Sequence, residues 1–412
     1  MKKFDLIIVN KGLPGLILAC GLSRYFSIAI IEQNEIIDIS QTRSCNVKEI
    51  SFFNIISIKI LKYLQAWDTD ISYLLNSVYK LEILEKDNVI GILKKKIEFG
   101  YLGYPELGYI IDNVKLLDVL TNYAKTLKTI HFFYFTNSFE IIFHNYNEVL
   151  INLDNEFICS AKLIIAADGI NSYIRNRVNI PLIFKDIRYY RLSALVHTKK
   201  EHQCTFRCIV HDHGIIIFLP LQNLHLSYVF WILSSYEIKK YLNTKNMNQH
   251  IFNVELIRFY DVLGKTILCQ DDEVIQVFPI RIQYACDIIK HRLILLGQSA
   301  YVACPFVFWN INIELMDVIL LFNYLREGQK TNKDIGCYSY LQLYSNYRKH
   351  SRNKFIVHIA HILSNSCYDK GWIRYVLCAF DYLTKIIPNS DEYILKYIMG
   401  LNDVPNCLFR KK

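Results

Sequence analysis

The chain reads as an α/β protein, and three observations carry that reading. Residues 4–32 run in the order strand, glycine turn, helix, strand, acid. A second strand, Ala161 to Ala167, ends in Asp168-Gly169, and a third, His291 to Leu296, ends in Gly297. Between these two, from about Pro181 to Pro279, short apolar strands alternate with turns and suggest a separate antiparallel layer.

Phe4-Asp5-Leu6-Ile7-Ile8-Val9 is a buried-type strand, with Gly12 and Gly15 after it. Leu16 to Tyr25 has helical character, Ile28 to Ile31 is a second strand, and Glu32 stands at its end. This is the geometry that binds the ADP half of a dinucleotide. The helix N-terminus faces the pyrophosphate, and the acid takes the ribose hydroxyls. Asn10 stands where the glycine fingerprint begins. Asn tolerates a left-handed backbone, although its side chain crowds a close ligand. Further on, the pattern predicts a helix over about Ile50 to Tyr63 and strands over Tyr79 to Ile92 and Lys94 to Glu98. A helix over Asn113 to Leu127 follows, with Asn113 placed to cap it. Strands are expected over Phe132 to Phe135, Phe139 to Phe143 and Glu148 to Leu153. Helices are expected near Ile238 to Phe252, over Ile311 to Leu325, and through most of the chain from Cys337 onward.

At 412 residues the chain has room for two domains, and 52% hydrophobic residues with 14% aromatics argue against disorder. The net charge of +9 has no basic cluster behind it, so it reads as lysine on solvated faces and not as a nucleic-acid surface. The twelve cysteines include no C-x-x-C, and no secretory signal opens the chain, which fits reduced thiols and a cytoplasmic protein. His213 to Tyr236 is free of Asp, Glu, Lys and Arg and long enough to span a bilayer. Pro220, Gln222 and Asn223 near its centre predict two strands, Gly214–Leu221 and Leu226–Leu233, joined by a turn. No metal site is expected, since His211, His213 and His225 have no supporting carboxylate.

The order of these units resembles the aromatic-ring hydroxylases, flavin-dependent monooxygenases built like p-hydroxybenzoate hydroxylase. It is most similar to the ubiquinone-biosynthesis branch that hydroxylates 2-polyprenylphenol. The resemblance is carried by Leu107 to Asn113, Ala161 to Pro181, Gly214 to Leu221, Val277 to Ile280 and His291 to Leu293. It continues through Lys333 to Tyr338, Tyr347 to Ser351 and Met399 to Pro405, and so spans nearly the whole chain. It implies a Rossmann-like FAD/NAD(P)-binding domain over 1–180 and 281–345, an inserted antiparallel β substrate domain over 181–280, and a helical C-terminal tail over 346–412. It also implies bound FAD, with NAD(P)H or another electron donor, and transfer of one oxygen atom from O₂ to the ring of a polyprenylphenol. Cofactor positions carried over by the resemblance are Gly12, Gly15, Glu32, Asp168, Gly169, Gly297, Pro305 and Asn312. No catalytic acid or base is implied.

Departures from the family pattern gather at the flavin. Gln298 replaces an Asp, Ser299-Ala300-Tyr301 replaces Ala-Ala-His, and Phe308-Trp309-Asn310 replaces Gly-Gln-Gly. Glu49 aligns with a flavin-contacting Arg. These changes keep open a second role, an impaired homologue retained as a structural member of a ubiquinone-biosynthesis complex, and a third, a sister quinone-ring hydroxylase. The aromatic, lysine-bearing C-terminal helices would suit either packing on the flavin domain or peripheral contact with an inner membrane.

Overall fold

β1 (Lys2–Asn10) is the centre of a parallel array in the computed structural model. The structure describes residues 1–10, 12–33, 49–66, 71–87, 91–98, 103–136, 139–142, 146–154, 157–211, 214–242, 263–264, 266–268, 276–302, 310–348, 396 and 399–401. Along β1, Leu6, Ile7 and Ile8 are fully buried, as a parallel strand covered on both faces requires. It pairs in parallel with β2 (Ile28–Gln33) and with β11 (Phe157–Ala167). The array extends in parallel to β8 (Ile130–Phe135) beyond β2 and to β19 (Leu293–Leu295) beyond β11. Three antiparallel strands complete the sheet: β9 (Phe139–Ile142), β10 (Val149–Leu153) and β18 (Ile289–Lys290).

The connection from β1 to β2 is α1 (Leu13–Leu22), apolar on every side and buried along nearly its whole length. It starts three residues before the expected Leu16. Gly12 caps it in an extended conformation, and Pro14 suits its first turn, where the missing N–H costs nothing. α2 (Ile55–Leu64) and α6 (Asn310–Lys330) pack against it.

A second sheet orders its strands β20-β17-β12-β15-β14-β13-β5-β6, with β16 on β12. These are β5 (Lys80–Asp87), β6 (Gly91–Glu98), β12 (Leu182–Thr198), β13 (Thr205–His211), β14 (Gly214–Pro220), β15 (Leu226–Ser234), β16 (Thr266–Leu268), β17 (Gln276–Ala285) and β20 (Tyr301–Val302). As expected, β14 and β15 pair antiparallel, so the charge-free stretch is a hairpin and not a span. Among the described residues no helix is long and apolar enough to cross a membrane. Alternation along β12 sends Leu192, Ala194 and Val196 to a core shared with Ile238 of α5 (Ser235–Leu242). The opposite face carries Leu195 and packs with Phe230, Ile217 and Ile280 against Phe52 and Ile110. Phe52 and Ile110 belong to a third sheet of β3 (Ile50–Asn54), β7 (Gly108–Asp112) and β4 (Asn76–Val78), which bridges the two larger ones.

Two local expectations are corrected. The helix predicted from Ile50 starts at Ile55, because Ile50–Asn54 pairs with β7 and Asn54 caps α2, its Oδ1 accepting from Ser57 N at 2.8 Å. α3 (Asn113–Thr126) is capped by Asp112, whose Oδ1 accepts from Val114 N at 3.0 Å; Asn113 instead donates to Ser51 Oγ at 2.9 Å. Residues 338–348 are helical, and most of the expected helical tail lies outside the described residues. Two segments that carried the resemblance meet in space. Arg292, 1% exposed, forks onto Asp334 at 3.1 and 2.5 Å and also donates to Lys162 O at 2.7 Å.

The second sheet is tied by a buried ion pair. Arg207 Nε on β13 donates to Glu82 Oε2 on β5 at 2.8 Å, and Arg207 Nη1 to His202 O at 2.8 Å. Glu82→Ala should destabilise the protein by about 3–5 kcal/mol in urea unfolding, because it strands a buried guanidinium. The double change Glu82→Leu with Arg207→Met should recover most of that loss; a single change as mild as the double one would show that the pair is not desolvated.

Candidate functional site

Parallel pairing puts the carboxyl ends of the central strands on one edge. In register, Asn10 stands beside Ala167, Ala166 beside Leu295, and Val9 beside Ile31. The residues that leave these ends are Gly12, Glu32, Asp168-Gly169 and Gly297, which the sequence had singled out separately. The strand ladder brings all four turns together.

Gly12 opens α1, and a β-carbon there would meet only Pro14 Cδ, at 3.9 Å. Gly15 is buried one turn along. Glu32 is half-buried at the end of β2 beside Tyr134, whose hydroxyl is raised by burial and by the Glu32 charge. Gly169 has φ +84°, and a β-carbon there would meet nothing within 4 Å. Asp168 faces back into the protein: Oδ1 accepts from Ser172 Oγ at 2.6 Å and Oδ2 from Ile174 N at 3.0 Å. It thereby fixes the start of α4 (Tyr173–Arg177). Arg175 of that helix, 2% exposed, donates to Ile170 O at 3.1 Å and to Ser299 O at 2.9 Å. A guanidinium therefore lies beneath both the 169 turn and the 297 turn, and its buried Nε has no hydrogen-bond partner among the described residues.

Gly297 has φ +64° and begins a single 3-10 turn, Gly297–Ser299. A β-carbon there would lie 3.3 Å from Pro14 Cγ and 3.7 Å from Glu314 Oε2, so this turn presses directly on the start of α1. Ser299 Oγ locks it by donating to Ala166 O at 2.5 Å. Asn312 ties the start of α6 to β3 and α2. Its Oδ1 accepts from Asn54 N at 2.9 Å and Ser57 Oγ at 2.7 Å, and its Nδ2 donates to Phe52 O at 2.7 Å. Pro305, Phe308 and Trp309 lie outside the described residues.

The second sheet adjoins this edge, Gln283 Nε2 of β17 donating to Ile170 O at 2.9 Å. Arg191 on β12 lies over the rings of Phe230 and Phe278, at 5.0 and 4.8 Å from their centroids. Burial lowers its pKa, while Tyr228 and Glu49 act in the opposite sense. The Glu49 charge also raises the Glu314 carboxyl. Behind α6, Asp317 accepts from Arg348 and Tyr301, and Arg348 Nη2 reaches Tyr301 Oη at 3.2 Å. Asp317 holds the Arg348 guanidinium charged despite its burial.

Glu314, Arg175 and Arg191 were not anticipated. One signal was available for Glu314. It and Asp317 stand three residues apart beside the apolar stripe of Ile311, Leu315, Val318 and Phe322, where a solvated acid does not belong. Among the described residues no group of three or more His, Cys, Asp or Glu is arranged to hold a metal ion.

These residues fit a dinucleotide such as FAD. Open space stands at Gly12 and Gly169, a helix N-terminus and a buried guanidinium line the same edge, and an acid ends the second strand. The fold is that of the flavin-dependent monooxygenases. The p-nitrophenol 4-monooxygenase PnpA from Pseudomonas putida DLL-E4 superposes with a TM-score of 0.71 at 14% identity, over 98% of this chain and 99% of that one. The flavin-dependent brominase Bmp2 superposes at 0.70 and 10% identity, over 97% and 94%. In sequence the chain is similar to ubiquinone-biosynthesis hydroxylases. The ubiquinone biosynthesis monooxygenase COQ6, mitochondrial, of Dictyostelium discoideum is 23% identical over 86% of this chain and 83% of its own length. The 3-demethoxyubiquinol 3-hydroxylase of Escherichia coli K12 is 24% identical over 82% and 84%. No protein-family model matches the chain.

Asn312→Ala would leave Asn54 N, Ser57 Oγ and the Phe52 carbonyl without their buried partner. It should destabilise the protein by about 2–4 kcal/mol in urea unfolding. A loss below about 1 kcal/mol would show that the β3–α2 corner holds without it.

Proposed function

We propose that the protein is an FAD-dependent monooxygenase that hydroxylates the aromatic ring of a polyprenylphenol in ubiquinone biosynthesis. One observation carries the reading: three parallel strand ends bring Gly12, Asp168-Gly169 and Gly297 to one edge. The relatives named for ubiquinone biosynthesis support the substrate class.

Bound and reduced by NAD(P)H or another donor, FAD would supply the activation of O₂ and the transfer of one oxygen atom to an electron-rich ring. The protein's part is to bind, orient and exclude water. The N-terminus of α1 at Gly12 takes the pyrophosphate, with Gly15 letting the helix approach the sheet. Glu32 takes the adenosine ribose hydroxyls. Asp168 holds its turn rigid through α4, so that Gly169 and Gly297 border the cofactor with backbone alone. Asn312 shapes the helix start beside the flavin ring by anchoring α6 to β3. Phe230, Phe278 and Arg191 of the second sheet offer an apolar tail and a phenol oxygen matching surfaces.

The second reading, an impaired homologue kept for a structural role in a ubiquinone-biosynthesis complex, is favoured by the two acids at this edge, Glu49 and Glu314. The spectrum separates the two. A purified protein that is yellow, or that turns yellow with added FAD, belongs to the enzyme; a folded protein that takes up no FAD belongs to the structural role. Supplied with FAD, NAD(P)H, a polyprenylphenol and ¹⁸O₂, the enzyme should release a hydroxylated ring carrying one ¹⁸O by mass spectrometry. A flavin-loaded protein that gives no labelled product overturns the proposed reaction.

A further inference from the structure

Glu314 lies where three elements of the dinucleotide edge meet. It is the fifth residue of α6, 4% exposed. Its carboxylate accepts a hydrogen bond from Gln298, and Oε2 is 3.7 Å from the point a β-carbon on Gly297 would occupy. Pro14, in the first turn of α1, is 3.3 Å from that same point. The carboxylate therefore stands between α6, the Gly297 turn and the start of the helix whose N-terminus would take the cofactor pyrophosphate.

The charged groups around it are acids. On α6 itself, Asp317 follows one turn later; ahead of β3, Glu49 faces it. The first turn of α1, Leu13 to Leu16, has no charged side chain, and the Gly297 turn offers only the neutral Gln298. Arg348 is taken up by Asp317, on the same helix as Glu314, and by Tyr301. Arg175 lies under the turn, where Nη1 donates to Ser299 O and Nη2 to Ile170 O. Among the described residues an ionised Glu314 thus has no cation of its own, and an anionic cofactor arriving at this edge would add a like charge at short range.

We infer that FAD binding is coupled to the uptake of a proton by Glu314: the neutral carboxyl admits the anionic cofactor, and the carboxylate repels it. The inference rests on the FAD reading above. Burial pushes the Glu314 carboxyl up to about 7; Asp317 and Glu49 push in the same direction, and the Gln298 bond opposes them. The sign follows. Below about 7 the group is already neutral and binding needs no proton; above it each bound FAD takes one up. One linked proton predicts that the FAD dissociation constant rises about tenfold between about pH 6 and about pH 8.

Two measurements on the full chain test this. FAD is titrated by flavin fluorescence at both pH values into the wild type, Glu314→Gln and Glu49→Gln. Calorimetry of the wild type at about pH 8, in phosphate and in Tris, reads proton uptake from the difference in heat and does not depend on how any variant folds. The expected result is a roughly tenfold weakening and net proton uptake in the wild type. Glu314→Gln should bind at both pH values as the wild type does at the lower one, and Glu49→Gln should keep a pH dependence. A wild-type affinity that does not change with pH, or a dependence that survives in Glu314→Gln, overturns the inference and leaves the FAD reading intact. Absence of FAD binding in every protein at both pH values overturns the two together.

Discussion

The parallel ladder on either side of β1 is the constraint on which the rest depends. A parallel pair has to return its chain over the sheet, so every strand in the array ends on the same edge. Here that edge gathers residues from positions 12, 32, 168 and 297, which no local interaction could bring together. The ladder is held by burial: α1 is covered on almost every side, and the strand interiors are fully buried. The turns are then stiffened by short polar links. Asp168 closes onto α4, Arg175 spans two turns, and Ser299 ties the last turn back to β11. The result is a rigid edge made largely of backbone, suited to a large cofactor that needs close approach.

Charge at this edge is unevenly matched. Among the described residues, Arg348 pairs with Asp317, Arg175 donates to two carbonyls, and Arg191 lies over two rings. Of the acids, Glu49 is exposed and Glu314 is buried inside the edge. In a low-dielectric pocket this imbalance favours protonation of a carboxylate over its retention as an uncompensated charge.

The resemblance segments acquire physical reasons in three dimensions. His291-Arg292-Leu293 and Lys333 to Tyr338 lie far apart in the chain, yet Arg292 and Asp334 form one ion pair that closes α6 and the following turn onto β11 and β19. Asn312 links the start of α6 to β3 and α2 across more than half the chain. Such residues keep the frame that aligns the edge.

The sequence by itself determined the period-two and helical patterns, the glycine turns and the acid after β2. Local apolar periodicity and turn chemistry are written in neighbouring residues, so the first βαβ unit, the β14–β15 hairpin and α6 were legible. It did not determine the start of α2 or the cap of α3. At both, a pairing with a distant strand, β7 with β3, overrode local helix preference and took Asn113 for Ser51. Nor did it reveal Glu314 as a member of the edge, since the protonation of an acid depends on which groups surround it in space. Burial and the companionship of Asp317, Glu49 and Gln298 are properties of the tertiary fold alone, because they arise from residues that the parallel ladder and the packing of α6 bring within a few ångströms of one another.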